Sequence, residues 1–189
     1  MLVGAARVGG TIMFREDKTT QMAATFLKLG GRRMHYVKLL KLLYLADRKM
    51  LTTRGKLITY DRWVSMDNGP VLSLTYNLGK EDAKPSYWKN SIAKENRDAV
   101  LCEDPGTEDL SQAEDKIIEE TFAEFGHLGP WQLVDLLHTY PEWENPHGKS
   151  IKIHYPTVMR SAGFSEENIE ATMDNIGAQD ALERVLAMV

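Results

Sequence analysis

The chain has 189 residues, 43% hydrophobic and 26% charged, which is enough to bury one good core and too apolar for a disordered tail. Its net charge of −4 is unevenly spread: residues 1–60 carry 12 Lys and Arg against 3 Asp and Glu, and residues 61–189 carry 11 against 24. The single cysteine, Cys102, excludes an intramolecular disulfide framework or a multi-cysteine zinc ribbon, suits a reducing cytoplasm, and reads as a small buried hydrophobe.

The opening MLVGAARVGGTIMF is broken by three glycines and too short to span a bilayer, and no apolar run elsewhere is long enough. Met13 is an alternative start, so residues 1–16 are read as an extension. Residues 19–29 place Met22, Phe26 and Leu29 at helical spacing before Gly30-Gly31. A longer helix is predicted from about residue 35 to 53, stopped by Gly55. At 100° per residue, Lys38, Lys41, Leu45, Arg48, Lys49 and Thr52 fall on one side, and Tyr36, Leu40, Leu43, Met50 and Leu51 on the other. Asp47 falls within the apolar side, where an unsatisfied charge costs several kcal/mol, so it is expected to be buried and hydrogen-bonded. The expected donors are the backbone amides around residues 68–71.

LITYDRWVSM mixes β-branched and aromatic residues with polar ones, which predicts an extended segment or hairpin. Pro70 suits the first position of a following helix and Gly79 its stop. A second hairpin is predicted around residues 96–98. Ser111 to Glu114 forms a capping box for a helix with Ile117, Ile118, Thr121, Phe122 and Phe125 on its apolar face. Pro130 opens another helix that Pro141 ends, residues 155–162 form a short one, and Ser165 caps a last helix with Ile169, Met173, Ile176, Leu182, Val185 and Leu186 inward. The fold class is therefore mainly α, a single helical domain with a small β-hairpin element.

Motifs of chemistry are missing from the sequence. It has no phosphate-cradling glycine loop, HExxH, paired CxxC or nucleophile elbow. His127, His138, His147 and His154 match no metal-ligand spacing and read as helix-end or core residues. Trp63, Trp88, Trp131 and Trp143 read as core or hairpin anchors. No catalytic residue, metal or cofactor is expected.

KLLYLADR at 41–48, the following Gly55, NGPV at 68–71, YW at 87–88, LSQAE at 110–114 and LVDLLHTYPEW at 133–143 together resemble the Panacea domain, also called SocA-like or GepA-like. The resemblance covers about residues 17–160, with 161–189 as a helical extension packed on the same domain. Leu137-His138 stands where the family is expected to carry a Thr-His pair. The resemblance implies a phage-associated antitoxin that neutralises a toxin encoded nearby by direct protein contact, or an adaptor delivering the toxin to an AAA+ protease. It also implies a structural motif of Tyr44, Asp47, Gly69, Pro70, Trp88, His138 and Trp143. Lys41, Arg48, Trp63, Met66 and Tyr76 are the expected partner-binding residues, and the acidic half, with twelve carboxylates between residues 103 and 144, would steer a basic toxin. The rival readings are a hydrolase, which would need His138, Asp135 or His127 to converge in a cleft, and a DNA-binding regulator using the basic residues of 1–60. Overall acidity opposes a nucleic-acid partner, and no membrane association is expected.

Overall fold

Helix α1 (Glu16–Leu29) starts three residues earlier than periodicity predicts, because Glu16 and Asp17 supply the negative charge favoured in a first turn. The computed structural model describes residues 13–80 and 84–186, so most of the N-terminal extension, residues 1–12, lies outside it. The chain continues through a short strand β1 (Arg33–His35) into α2 (Tyr36–Arg54), the central helix. His35 caps α2 by accepting from the Val37 amide, and Gly55 closes it in the left-handed conformation, φ 62°, which glycine adopts without Cβ strain.

β2 (Trp63–Met66) and β3 (Gly69–Leu72) form the first hairpin, with Met66 opposite Gly69 and Trp63 opposite Leu72. Pro70 therefore sits in a strand, and the helix expected to begin there starts three residues later as α3 (Ser73–Leu78). β3 is an edge strand of the sheet β3-β2-β6, where the missing proline N–H is tolerated. Gly69, at φ 85°, takes the left-handed position that follows the two-residue turn.

After α4 (Tyr87–Ser91), β4 (Ile92–Glu95) and β5 (Asp98–Leu101) form the second predicted hairpin, turned at Asn96-Arg97. β1 joins it through Arg33 opposite Val100 and His35 opposite Asp98, giving the sheet β1-β5-β4. Helix α5 (Gln112–Phe125) carries the expected capping box, with Ser111 N–H donating to Glu114 Oε2 at 2.7 Å. Lys18 also reaches Glu114, tying α1 to the start of α5. Then follow α6 (Pro130–His138), β6 (Ile151–Lys152), α7 (Tyr155–Ser161) and α8 (Glu166–Leu186). The protein is mainly α: 55% helical, with eight helices and two small three-stranded antiparallel sheets among the described residues.

The core surrounds α2, which packs against α1, α5, α6, α7 and β3. Because α2 is covered on several sides, its polar side is not solvated as the helical wheel predicts: Leu45 and Lys41 are both buried. Ile169 and Ile176 anchor α8 as expected, and Gln179 receives the Tyr60 hydroxyl. Leu182 and Val185, expected to face inward, are each 60% exposed beyond that anchorage. Cys102, expected to be buried, is exposed in the residue after β5. No described helix is long and apolar enough to cross a membrane.

Candidate functional site

The residues of the KLLYLADR segment point into two neighbouring clusters along α2, joined where Tyr44 packs against Trp63. Asp47 is fully buried, as its position among apolar neighbours requires, but its donors are not those of residues 68–71. Oδ1 accepts from the amides of Ile58 (2.7 Å) and Thr59 (3.1 Å), and Oδ2 accepts from Thr59 Oγ1 (2.7 Å) and Trp63 Nε1 (3.0 Å). The segment leaving Gly55 folds back across α2, so the closest loop in sequence, not the NGPV turn, satisfies the carboxylate. Burial pushes the Asp47 carboxyl up and the four donors hold it down in part.

A second aspartate, Asp61, completes this cluster and was not singled out by sequence reasoning. It accepts from the Leu74 and Thr75 amides, both at 2.8 Å, and from Thr75 Oγ1 at 2.7 Å, which caps α3 from twelve residues upstream. The signal was the residue ahead of α3, Leu72, which has no side-chain acceptor for the first-turn amides.

The other cluster joins Lys41, Tyr44 and Arg48, three and four residues apart along α2, to the corner after α6. Glu142, whose side chain is fully buried, accepts from Tyr44 Oη at 2.8 Å and from Arg48 Nε and Nη2 at 2.5 and 3.2 Å. The Arg48 guanidinium also lies 4.5 Å from the centre of the Tyr140 ring. Trp143 donates its indole N–H to the Met66 carbonyl at 3.1 Å and stacks on His138 with ring centres 4.0 Å apart. His138 and Lys41 Nζ flank Gly69, where an added Cβ would lie 3.5 Å from each. The structure thus brings together Lys41, Tyr44, Arg48, Gly69, Pro70, His138 and Trp143, and sequence reasoning missed Glu142, their central acceptor.

Lys41 was expected at a partner surface, yet it is 1% exposed and donates to the Pro70 carbonyl at 2.9 Å. Desolvation pushes its ammonium down to about 7 from the ordinary 10.5. Between those two values the unfolded chain binds more protons than the folded protein, so this group makes stability rise with pH across the window from about 7 to 10.5. Lys41→Met is expected to flatten that rise. Urea midpoints of parent and variant at neutral and mildly alkaline pH check it, and equal slopes would contradict the burial of an ionisable amine.

Trp63, the other expected anchor, is also 1% exposed, held edge-on between Tyr44 and Tyr155 at 5.2 and 5.0 Å between ring centres. Neither Lys41 nor Trp63 offers surface to a partner. Arg48 and Met66 are half-buried beside the 140–143 corner, whereas Tyr76 lies in a separate cleft with Tyr36 and Trp131. Trp88 is buried away from both clusters, its amide donating to Glu16. Trp131, read as an anchor, is 56% exposed.

Every carboxylate of the two clusters is taken up by donors that fasten a loop to α2 or α3, and no described group of three His, Cys, Asp or Glu side chains is placed to hold a metal. Fold and site together define a helical scaffold whose polar motif residues lock its own loops. The family model for the SocA-like antitoxin, Panacea domain, matches residues 39–144, and the chain belongs to that family. No curated protein and no solved structure matches it significantly. The matched span runs from the first turn of the central helix to just beyond the Glu142–Trp143 corner, so it encloses both clusters. Membership of this family supports an antitoxin-like role.

Proposed function

We propose that this protein is an antitoxin that neutralises a cognate toxin by direct protein–protein contact. The observation that carries the reading is the family match over residues 39–144, whose motif residues are spent on holding loops in place rather than on assembling a nucleophile and base. With Lys41 and Trp63 inside, the proposed contact passes to the three expected residues that retain surface, Arg48, Met66 and Tyr76. The acidic C-terminal half steers a basic toxin toward them.

The test is co-expression with the product of the adjacent reading frame. The parent is expected to rescue growth, and a folded Met66→Glu, Tyr76→Glu double variant to bind more weakly by about 2 kcal/mol or more and to lose rescue. Rescue equal to the parent's would move the contact elsewhere. A neighbouring product that is harmless without this protein would remove the antitoxin reading.

A further inference from the structure

At the N-terminal end of α2 a cleft of about 470 Å³ is lined by His35, Tyr36, Tyr76, Lys80, Lys94, Arg97 and Trp131 among others. No carboxylate among the described residues lines it, although the protein as a whole is acidic. The reason is visible in the second hairpin, where Glu95 and Asp98 both turn onto Arg33. Lys94 and Arg97 of the same hairpin are left without an acidic partner among the described residues. Lys94 Nζ instead lies over the Tyr36 ring at 5.2 Å, and Lys80 Nζ over the Tyr76 ring at 5.4 Å. The Arg97 carbonyl accepts from the Tyr36 amide at 2.7 Å, which fixes the hairpin tip against the start of the helix.

Three further features point to a ligand. Helix α2 is 19 residues long, has no acidic residue in its first turn, and directs its positive end at the cleft. Tyr36 is 7% exposed, and its hydroxyl, packed against Gly79, has no hydrogen-bond partner among the described residues. A buried hydroxyl left unpaired is costly, so a ligand atom that reached it would recover that loss. Trp131, more than half exposed, lines the cleft with its ring centre 6.2 Å from that of His35. Because His35 Nδ1 accepts from the Val37 amide, Nε2 is its donor.

We infer that this cleft binds a nucleoside phosphate. Three cations with no acidic partner among the described residues, set around a concave site, call for a ligand with more than one negative charge, and phosphate oxygens accept from ammonium and guanidinium groups alike. The exposed indole supplies a face on which a base stacks. The volume suits a small molecule. The cleft shares Tyr76 with the proposed toxin contact, but the inference does not require the toxin.

The experiment titrates the full chain, without any toxin, with ATP, GTP, tripolyphosphate, adenosine, a ten-residue single-stranded oligonucleotide and a hexaglutamate peptide, following binding by calorimetry and tryptophan fluorescence. ATP or GTP is expected to bind more tightly than tripolyphosphate or adenosine. Lys94→Glu with Arg97→Glu is expected to weaken nucleotide binding by at least about tenfold in a protein whose circular dichroism shows it still folded. Trp131→Ala is expected to weaken nucleotide binding by about tenfold and to leave tripolyphosphate binding unaltered. Absence of nucleotide binding at millimolar concentration, or binding indifferent to the charge reversal, overturns the inference. Tighter binding of the oligonucleotide or of hexaglutamate than of ATP and GTP also overturns it, assigning the cleft to a strand end or to an acidic protein segment.

Discussion

Replacing Asp47 by alanine is expected to lower the stability of the protein by about 4 kcal/mol, the largest effect of any single truncation in the central helix. The magnitude follows from what is stranded. The change leaves the Ile58 and Thr59 amides, the Thr59 hydroxyl and the Trp63 indole N–H without their acceptor inside the core. Each buried donor left unpaired costs about 1–3 kcal/mol, and partial relaxation of the 58–63 segment keeps the sum below the maximum. Asp47→Asn is expected to cost about half as much. Its amide oxygen still serves two of the donors, but its NH2 group faces the Trp63 N–H, which then has no acceptor. Urea denaturation with circular dichroism checks both variants, and an Asp47→Ala loss under about 1 kcal/mol would show that the loop does not depend on this carboxylate.

The second large effect is expected at Glu142. Glu142→Ala removes the acceptor shared by Tyr44 and Arg48, leaving a buried phenol and a guanidinium that is only 20% exposed. Breaking one side of such a pair costs about 3 kcal/mol, more than the pair contributes relative to an apolar replacement. For that reason, adding Arg48→Ala to Glu142→Ala is expected to cost less than the two single losses combined. A double-mutant cycle measures the coupling, and strict additivity would mean that Arg48 and Glu142 act independently. Amide exchange around Trp143 gives a second reading. The corner is held by the Tyr44 and Arg48 contacts and by the Trp143–Met66 hydrogen bond, so Glu142→Ala is expected to speed local opening there.

Both predictions concern scaffold, which bears on the antitoxin reading. A variant at Asp47 or Glu142 that fails to neutralise a toxin reports a lost fold, whereas folded Met66 and Tyr76 variants report a lost contact. Keeping these classes separate is necessary because the family motif is mostly interior: Tyr44, Asp47, Gly69, Pro70 and Trp88 are all buried.

The sequence alone determined most of the local structure, because its signals act within a turn or two of chain. Helical spacing and glycine stops placed α1 and α2, the Ser111–Glu114 pair placed the start of α5, and the residues around Asn96 placed the second hairpin within a residue or two. The burial of Asp47 was legible for the same reason, since its neighbours one turn away are apolar. Tertiary structure alone decided which groups meet. The donors to Asp47 depend on the path of residues 55–63 back over α2, and Glu142 reaches Tyr44 and Arg48 across 98 and 94 positions of chain. No periodicity carries that information. Lys41 shows the difference most sharply. A helical wheel assumes one wet side, but α2 lies among several elements that cover it nearly all round, so a residue assigned to water instead holds the Pro70 carbonyl inside the core.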